Sequence, residues 1–153
     1  MFIEKGKELV CLRYADFKGI DTIEEHNELI EKQGYAWFGK AGSKPKVDRL
    51  DIMLENKPAF IILKSKVGYF ICEFEEYSLD RPNDGDYPEY YKDHVLSDMH
   101  ISMWFKILKI KKVLDTMKME KIVVSSSKRT VPDVIRHSMS SSFYTKAIEN
   151  IEV

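Results

Sequence analysis

Apolar and polar positions in the first half of the chain predict strands that alternate with helices. A mostly apolar run over residues 8–17 is short enough to be a strand. Asp21, with Glu24 three residues later, is typical of a helix start, and Gly34 is typical of its end. The same reasoning predicts a strand over 35–40, a helix over about 47–57, a central strand over 59–63 and a strand over 69–78, the last two forming an antiparallel hairpin.

The second half begins with a polar connection over residues 80–100 and then returns to strand patterns. This connection is rich in Pro and acidic residues, and loops of its length are usually functional or mobile. Apolar patterns then predict a strand over 101–114, a short strand over 122–124, a helix from Thr130 to about Ser138 and a closing strand over 143–148. This order predicts one compact α+β domain over residues 1–153, in which a small, curved, barrel-like and mostly antiparallel sheet is flanked by two to three helices.

Composition supports a single globular domain. The 153 residues are 44% hydrophobic, 12% aromatic and 32% charged, which supplies enough apolar material for a core without disulfides or a structural metal. Cys11 and Cys72 fall in predicted strands without CxxC spacing, so we expect buried thiols in a reducing compartment. No apolar run reaches the length of a membrane span, and we expect a cytoplasmic protein with no membrane partner.

The two parts of the chain differ in charge, although the formal net charge is only -1. Residues 1–100 carry 14 basic and 20 acidic side chains, whereas residues 101–153 carry 10 basic and 5 acidic ones. The basic part is compatible with phosphate contact if folding gathers its charges on one surface. The acidic and basic parts could also pair head to tail in a homo-oligomer.

The predicted strand that begins at Tyr35 is the first candidate binding surface. Alternate side chains of a strand share a face, so Tyr35 and Trp37 would point together while Phe38 points the other way. With the flexible Gly39-Lys40 step that follows, this arrangement suits a flat, ring-shaped ligand. The alternative, that these rings are simply core residues, stays open.

The polar connection and the first helix carry further candidate side chains. Tyr87, Tyr90 and Tyr91 can fold over a pocket, with anchoring of the loop as the alternative role. His26 lies among the acidic residues of the first predicted helix, where we expect it to be solvated.

Taken together, these segments resemble the PUA-like superfamily, particularly its EVE, ASCH and YTH branches, which are small barrels that bind nucleic acid or modified bases. The resemblance lies in the aromatic strand 35–40, the hairpin end 68–74, the Pro- and Tyr-rich loop around 88–91 and the strand 104–107. It covers most of residues 35–110.

The resemblance implies a non-enzymatic binding module that needs no cofactor. Its ligand would be a nucleobase or nucleotide, including a modified base in single-stranded or extruded nucleic acid. Trp37 and Trp104 would be the rings that stack on the base. Ser125, Ser126 and Ser127, at a strand end before a helix, would supply hydroxyl donors or phosphate contacts, with turn formation and capping as the alternative.

Two other classes of function stay open. A small metal-dependent nuclease would use His94 and His100 with the acidic loop. A hydrolase could use Ser125 with Asp133 and His137, although no GxSxG, HExxH or P-loop motif is present. A protein-interaction or regulatory module would instead use Phe38, the tyrosine loop or the exposed basic strand as a partner surface.

Overall fold

The computed structural model describes residues 1–153 as a mixed α/β fold. Its strands are Phe2–Ile3 (β1), Glu8–Arg13 (β2), Ala36–Ala41 (β3), Ala59–Ser65 (β4), Gly68–Ser78 (β5), Ile101–Lys112 (β6), Ile122–Val124 (β7), Ser142–Ala147 (β8) and Ile151–Glu152 (β9). Its α-helices are Thr22–Gln33 (α1), Val47–Glu55 (α2) and Val131–His137 (α3), with a π-helical turn at Tyr91–Val95 and a 3-10 helix at Thr116–Lys121. The predicted strands and helices are therefore confirmed, whereas β1, β9 and the two short helices were not predicted.

Seven of the strands form one sheet in the order β3-β6-β5-β4-β2-β8-β7, and β1 pairs with β9 in a small ribbon. The predicted β4-β5 hairpin is confirmed as antiparallel. The β2-β4 pair is parallel, because the chain crosses over through α1, β3 and α2 before it returns. The sheet is therefore only mostly antiparallel.

The sheet, which was expected to be barrel-like, is not a closed barrel, because β3 and β7 remain as separate edges. The outer edge of β3 is covered by the connection between β5 and β6 instead of by another strand. The Trp37 backbone N–H donates to the Asp86 carbonyl oxygen at 2.8 Å. Covering an edge in this way satisfies backbone groups that would otherwise be free to pair with another chain.

Helix α1 begins and ends at the residues that the sequence indicates. The Asp21 carboxylate accepts a hydrogen bond from the Glu24 backbone N–H at 3.0 Å. At the other end, Gly34 adopts a left-handed conformation with φ of 89°, and its N–H donates to the Ile30 carbonyl. These caps fix where α1 starts over the sheet, and Ile23 then enters the core.

Two apolar clusters cover the two faces of the central sheet. One cluster joins the sheet to α1 and α2, and its strand residues include Ile61, Phe74 and Phe105. The other joins the sheet to the 3-10 helix and α3. Cys11 and Cys72 are both buried free thiols, and burial raises the pKa of Cys11 to about 12, so this thiol stays protonated. None of the helices has the length and apolar character needed to cross a bilayer.

The Asp21 cap gives a first testable prediction. Asp21→Ala should lower the free energy of unfolding by about 1 kcal/mol, because the Glu24 N–H loses its acceptor. Urea titration followed by circular dichroism measures this loss. Asp48→Ala is the matched control, since Asp48 also lies in the first turn of a helix but is not its N-cap residue. Equal losses in the two variants would show that Asp21 acts only through its charge.

Candidate functional site

A cavity of about 500 Å³ opens beside the β3 edge of the sheet. One wall is the segment that follows β2, another is the end of β3, and a third is the connection that leads into β6. The lining residues are Arg13, Tyr14, Ala15, Asp16, Phe17, Lys18, Thr22, Phe38, Gly39, Lys40, Ala41, Tyr90, Tyr91, Val95, Met99, Ile101 and Ser141. Their mixture of apolar rings and a few polar groups is typical of a small-molecule site.

The Tyr91 hydroxyl joins the connection between β5 and β6 to the outer edge of β3. Its oxygen accepts a hydrogen bond from the Gly39 backbone N–H at 3.0 Å. Glycine is needed at this position because a Cβ would lie 2.9 Å from the Tyr91 ring, 2.9 Å from the Ile101 side chain and 3.1 Å from the Trp104 ring. The close approach of ring and strand backbone therefore depends on the missing side chain.

His26 joins the same hydroxyl to helix α1, and its hydrogen-bond partners determine its tautomer. Nδ1 lies 2.6 Å from the Thr22 carbonyl oxygen, which can only accept, so Nδ1 carries the proton. Nε2 lies 3.1 Å from the Tyr91 hydroxyl and therefore accepts from it. Burial lowers the pKa of His26 to about 4 and raises the pKa of Tyr91 well above its usual range, so both groups are neutral near pH 7.

Five aromatic side chains line the cavity: Tyr14, Phe17, Phe38, Tyr90 and Tyr91. The Tyr90 and Tyr91 rings pack with centroids 4.7 Å apart. Phe17 is only half-buried and stacks on His94, with centroids 5.3 Å apart and planes 19° from parallel. The cavity thus offers flat apolar surface both in its wall and near solvent.

The structure brings four of the ten predicted site residues onto the cavity wall. These are Gly39, Lys40, Tyr90 and Tyr91. The segment with Arg13, Tyr14 and Phe17 was missed, because the apolar run over 8–17 was interpreted as a strand to its end, whereas β2 ends at Arg13. The polar residues Arg13 and Asp16 were the available signal that the strand stops early.

Neither indole ring lines the cavity, which corrects their expected role as stacking surfaces. Trp104 is 1% exposed, and its ring packs 5.1 Å from Tyr87 and 5.3 Å from Tyr91 between centroids. Trp37 is 8% exposed and belongs to the same aromatic cluster. Tyr35 packs against this cluster and donates through its hydroxyl to Asp86 at 2.7 Å. These rings support the tyrosine wall from behind.

The three predicted serines lie away from the cavity, in the turn between β7 and α3. The Ser125 backbone N–H donates to the Tyr144 carbonyl at 2.9 Å, and the Ser127 hydroxyl accepts from the Arg129 N–H at 3.3 Å. Ser126 is exposed in the same turn. The cap of α3 is Thr130 rather than a serine.

The hydrolase constellation does not assemble. His137 Nδ1 lies 3.1 Å from an Asp133 carboxylate oxygen, but the Ser125 hydroxyl makes no hydrogen bond to His137. No group of three or more His, Cys, Asp or Glu side chains gathers in a way that could hold a metal ion. The stacking of His94 on Phe17 gives that histidine a packing contact instead.

His26 was expected to be solvated, and this expectation is wrong, because the side chain is 1% exposed. Among its acidic neighbours, Glu24 and Glu28 are exposed and Glu25 is half-buried. The spacing of His26 from Ile23 and Ile30, three and four residues, was the signal that it shares the buried stripe of α1.

Removal of the Tyr91 hydroxyl tests the contact between the loop and β3. Tyr91→Phe should lower the free energy of unfolding by about 2 kcal/mol, because the Gly39 N–H and His26 Nε2 both lose their partner inside the protein. Tyr77→Phe is the matched control, since its hydroxyl donates to Asp51 at the surface and should change stability by less than about 0.5 kcal/mol. The contact would be refuted by equal stability of the two variants in urea titration.

The buried neutral His26 gives a prediction for pH. The unfolded imidazole takes up a proton near pH 6.5, whereas the folded one does so only near pH 4. Its contribution is therefore fully present above pH 6.5 and falls by about 3 kcal/mol as the pH drops to 4.

Urea titrations at several pH values measure this loss. His26→Gln, which keeps a neutral polar side chain, should show a shallower decline than the parent protein between pH 6.5 and 4, while the carboxylates contribute equally to both. Parallel curves for the two proteins would contradict the burial of a neutral imidazole.

Comparison with known proteins adds one positive result to this geometry. A family model described as Pua-like matches residues 10–152, which include every element that lines the cavity. No match was found among curated proteins or among solved structures. The match extends over nearly the whole chain and over the aromatic strand and tyrosine loop noted above, and the chain therefore belongs to the Pua-like family.

Proposed function

We propose that this protein is a binding module that holds a nucleobase or nucleotide in the cavity beside β3. Membership of the Pua-like family suggests an RNA- or nucleotide-binding module. We further propose that the ligand lies in this cavity. The observation that carries this proposal is a cavity of about 500 Å³ with five aromatic side chains among its lining residues. A volume of this size suits a ligand of a few hundred daltons.

Stacking would supply most of the binding energy. Phe17 and Tyr14 are the half-buried rings of the lining, whereas Tyr90 and Tyr91 are held in place by their contacts with β3 and α1. Each stacked base contributes on the order of 1–3 kcal/mol and does so for every type of base. Stacking therefore explains affinity for a ring, and polar groups must supply the choice between bases.

Polar groups on the same wall can contact the edge of a base. Burial raises the pKa of Tyr90 to about 12, so its hydroxyl remains a hydrogen-bond donor at neutral pH. Thr22 and Ser141 add hydroxyl groups to the lining. A base that leaves such a buried group without a partner is penalised, which is how a few hydroxyls can select one base.

The charge around the cavity favours one base or a short strand over a long duplex. The connection that supplies Tyr90 and Tyr91 also carries exposed carboxylates at Asp84, Glu89 and Asp93. These negative charges would repel an extended phosphate backbone. A free nucleotide or an extruded base brings far fewer phosphates to this surface.

Binding should depend on Phe17. Phe17→Ala is expected to weaken binding of adenosine, guanosine, cytidine and uridine alike, by about 1–3 kcal/mol where binding is measurable, because the stacking surface is lost. Isothermal titration calorimetry at fixed salt measures this change. Phe2→Ala is the control, since Phe2 is an exposed aromatic residue outside the cavity and should leave affinity unchanged.

Two results would overturn the proposed function. One is the absence of binding by nucleosides and by nucleotides to the parent protein at millimolar concentration. The other is equal affinity of the parent protein and Phe17→Ala for every ligand that binds.

A further inference from the structure

Lys40 is a buried cation that has no acidic partner. The residue is 3% exposed and lines the cavity. Its Nζ donates only to the neighbouring Ala41 carbonyl, and it takes part in none of the ion pairs of the chain. Burial without a counter-charge destabilises an ammonium group and lowers the pKa of Lys40. An ammonium group has three donor hydrogens, so two of them are left for a ligand.

Arg13 also lines the cavity, but its guanidinium group is bound at the C-terminal end of α3. Its Nη2 donates to the carbonyl oxygens of Ile135, at 2.9 Å, and of Ser138. Its Nε is buried and has no hydrogen-bond partner. Such unpaired buried donors are rare in folded proteins, and Arg13 also takes part in none of the ion pairs.

The cavity has little negative charge of its own to balance these cations. Asp16 is the one carboxylate among its lining residues, and an oxygen of that side chain already accepts the Thr22 backbone N–H at 3.1 Å. Lys18 adds an exposed positive charge to the lining. The lining thus carries more positive than negative charge, and Lys40 is the buried positive group.

We propose that the ligand of this cavity carries a phosphate group, which Lys40 binds while the aromatic wall holds the base. This inference rests on the proposed function and names the class of ligand for the same site. A phosphate supplies several acceptor oxygens and the missing negative charge, and lysine binds it well. The phosphate belongs either to a free nucleotide or to the backbone of a strand, and the chemistry is the same.

The test compares each nucleoside with its 5′-monophosphate by isothermal titration calorimetry. The parent protein should bind the monophosphate about 10- to 100-fold more tightly, as expected for charged hydrogen bonds. In Lys40→Met, which keeps the apolar stem, this advantage should shrink to less than about 3-fold while nucleoside affinity stays within about 3-fold of the parent value.

Lys64→Met is the matched control. Lys64 also donates to the carbonyl of the residue that follows it and also has a lowered pKa, but it does not line the cavity. Its variant should keep the full preference for the monophosphate. Circular dichroism and thermal unfolding show whether each variant is folded. The comparison of nucleoside with monophosphate in the parent protein does not depend on the folding of any variant.

The outcomes separate this inference from the proposed function. Equal affinity for nucleosides and monophosphates in the parent protein overturns the phosphate site and leaves base binding intact. Equal loss of the preference in Lys40→Met and Lys64→Met also overturns it, because general charge would then explain the effect. Failure of all these ligands to bind overturns both proposals. Tighter binding of a dinucleotide than of the monophosphate supports the phosphate site and identifies a strand as the source, whereas the reverse order identifies a free nucleotide.

Discussion

One hydroxyl group, that of Tyr91, joins the edge strand of the sheet to a helix and so determines where the long connection lies. It accepts from the Gly39 N–H of β3 and donates to His26 of α1. The free N–H groups of an edge strand can pair with another chain unless other parts of the protein cover them. Because β7 does not pair with β3, the Tyr91 side chain of the connection covers the Gly39 N–H of β3. The connection meets β3 at Trp37 and at Gly39, and the cavity lies beside the second of these contacts.

The aromatic cluster behind that wall gives the site its rigidity. Trp37 and Trp104 are buried in one cluster with the tyrosines and do not line the cavity. Their packing fills the space behind the tyrosine rings. Rings and hydroxyls held in this way lose little freedom when a ligand binds, which is the general advantage of a preformed site. The cost of such a site lies in Lys40, a buried ammonium group without an acidic partner.

Sequence reasoning succeeds here where the signal is local and fails where it depends on distant parts of the chain. The Asp21 cap involves only a few adjacent residues, and it predicts the start of α1. Strand alternation around Trp37 is also local, and it predicts β3 with Trp37 and Phe38 on opposite faces. The β1-β9 ribbon and the parallel β2-β4 pair join segments far apart in sequence, and no local pattern encodes them. Strand alternation likewise predicts which face of the sheet carries Trp104, but it does not predict whether a loop covers that side chain. Because Tyr87 packs on Trp104, the rings that line the cavity are Phe17 and the tyrosines instead.

We propose that the cavity beside the Tyr91 contact receives the base and phosphate of a nucleotide. The most direct measurement of this binding is a titration of ¹⁵N-labelled protein with 5′-mononucleotides, followed through backbone amide resonances. We expect the resonances of Gly39, Lys40 and Thr22 to shift together and saturate, while those of the Ser125–Ser127 turn stay in place. Shifts confined to that turn, or to the lysine-rich strand β6, would contradict this proposal.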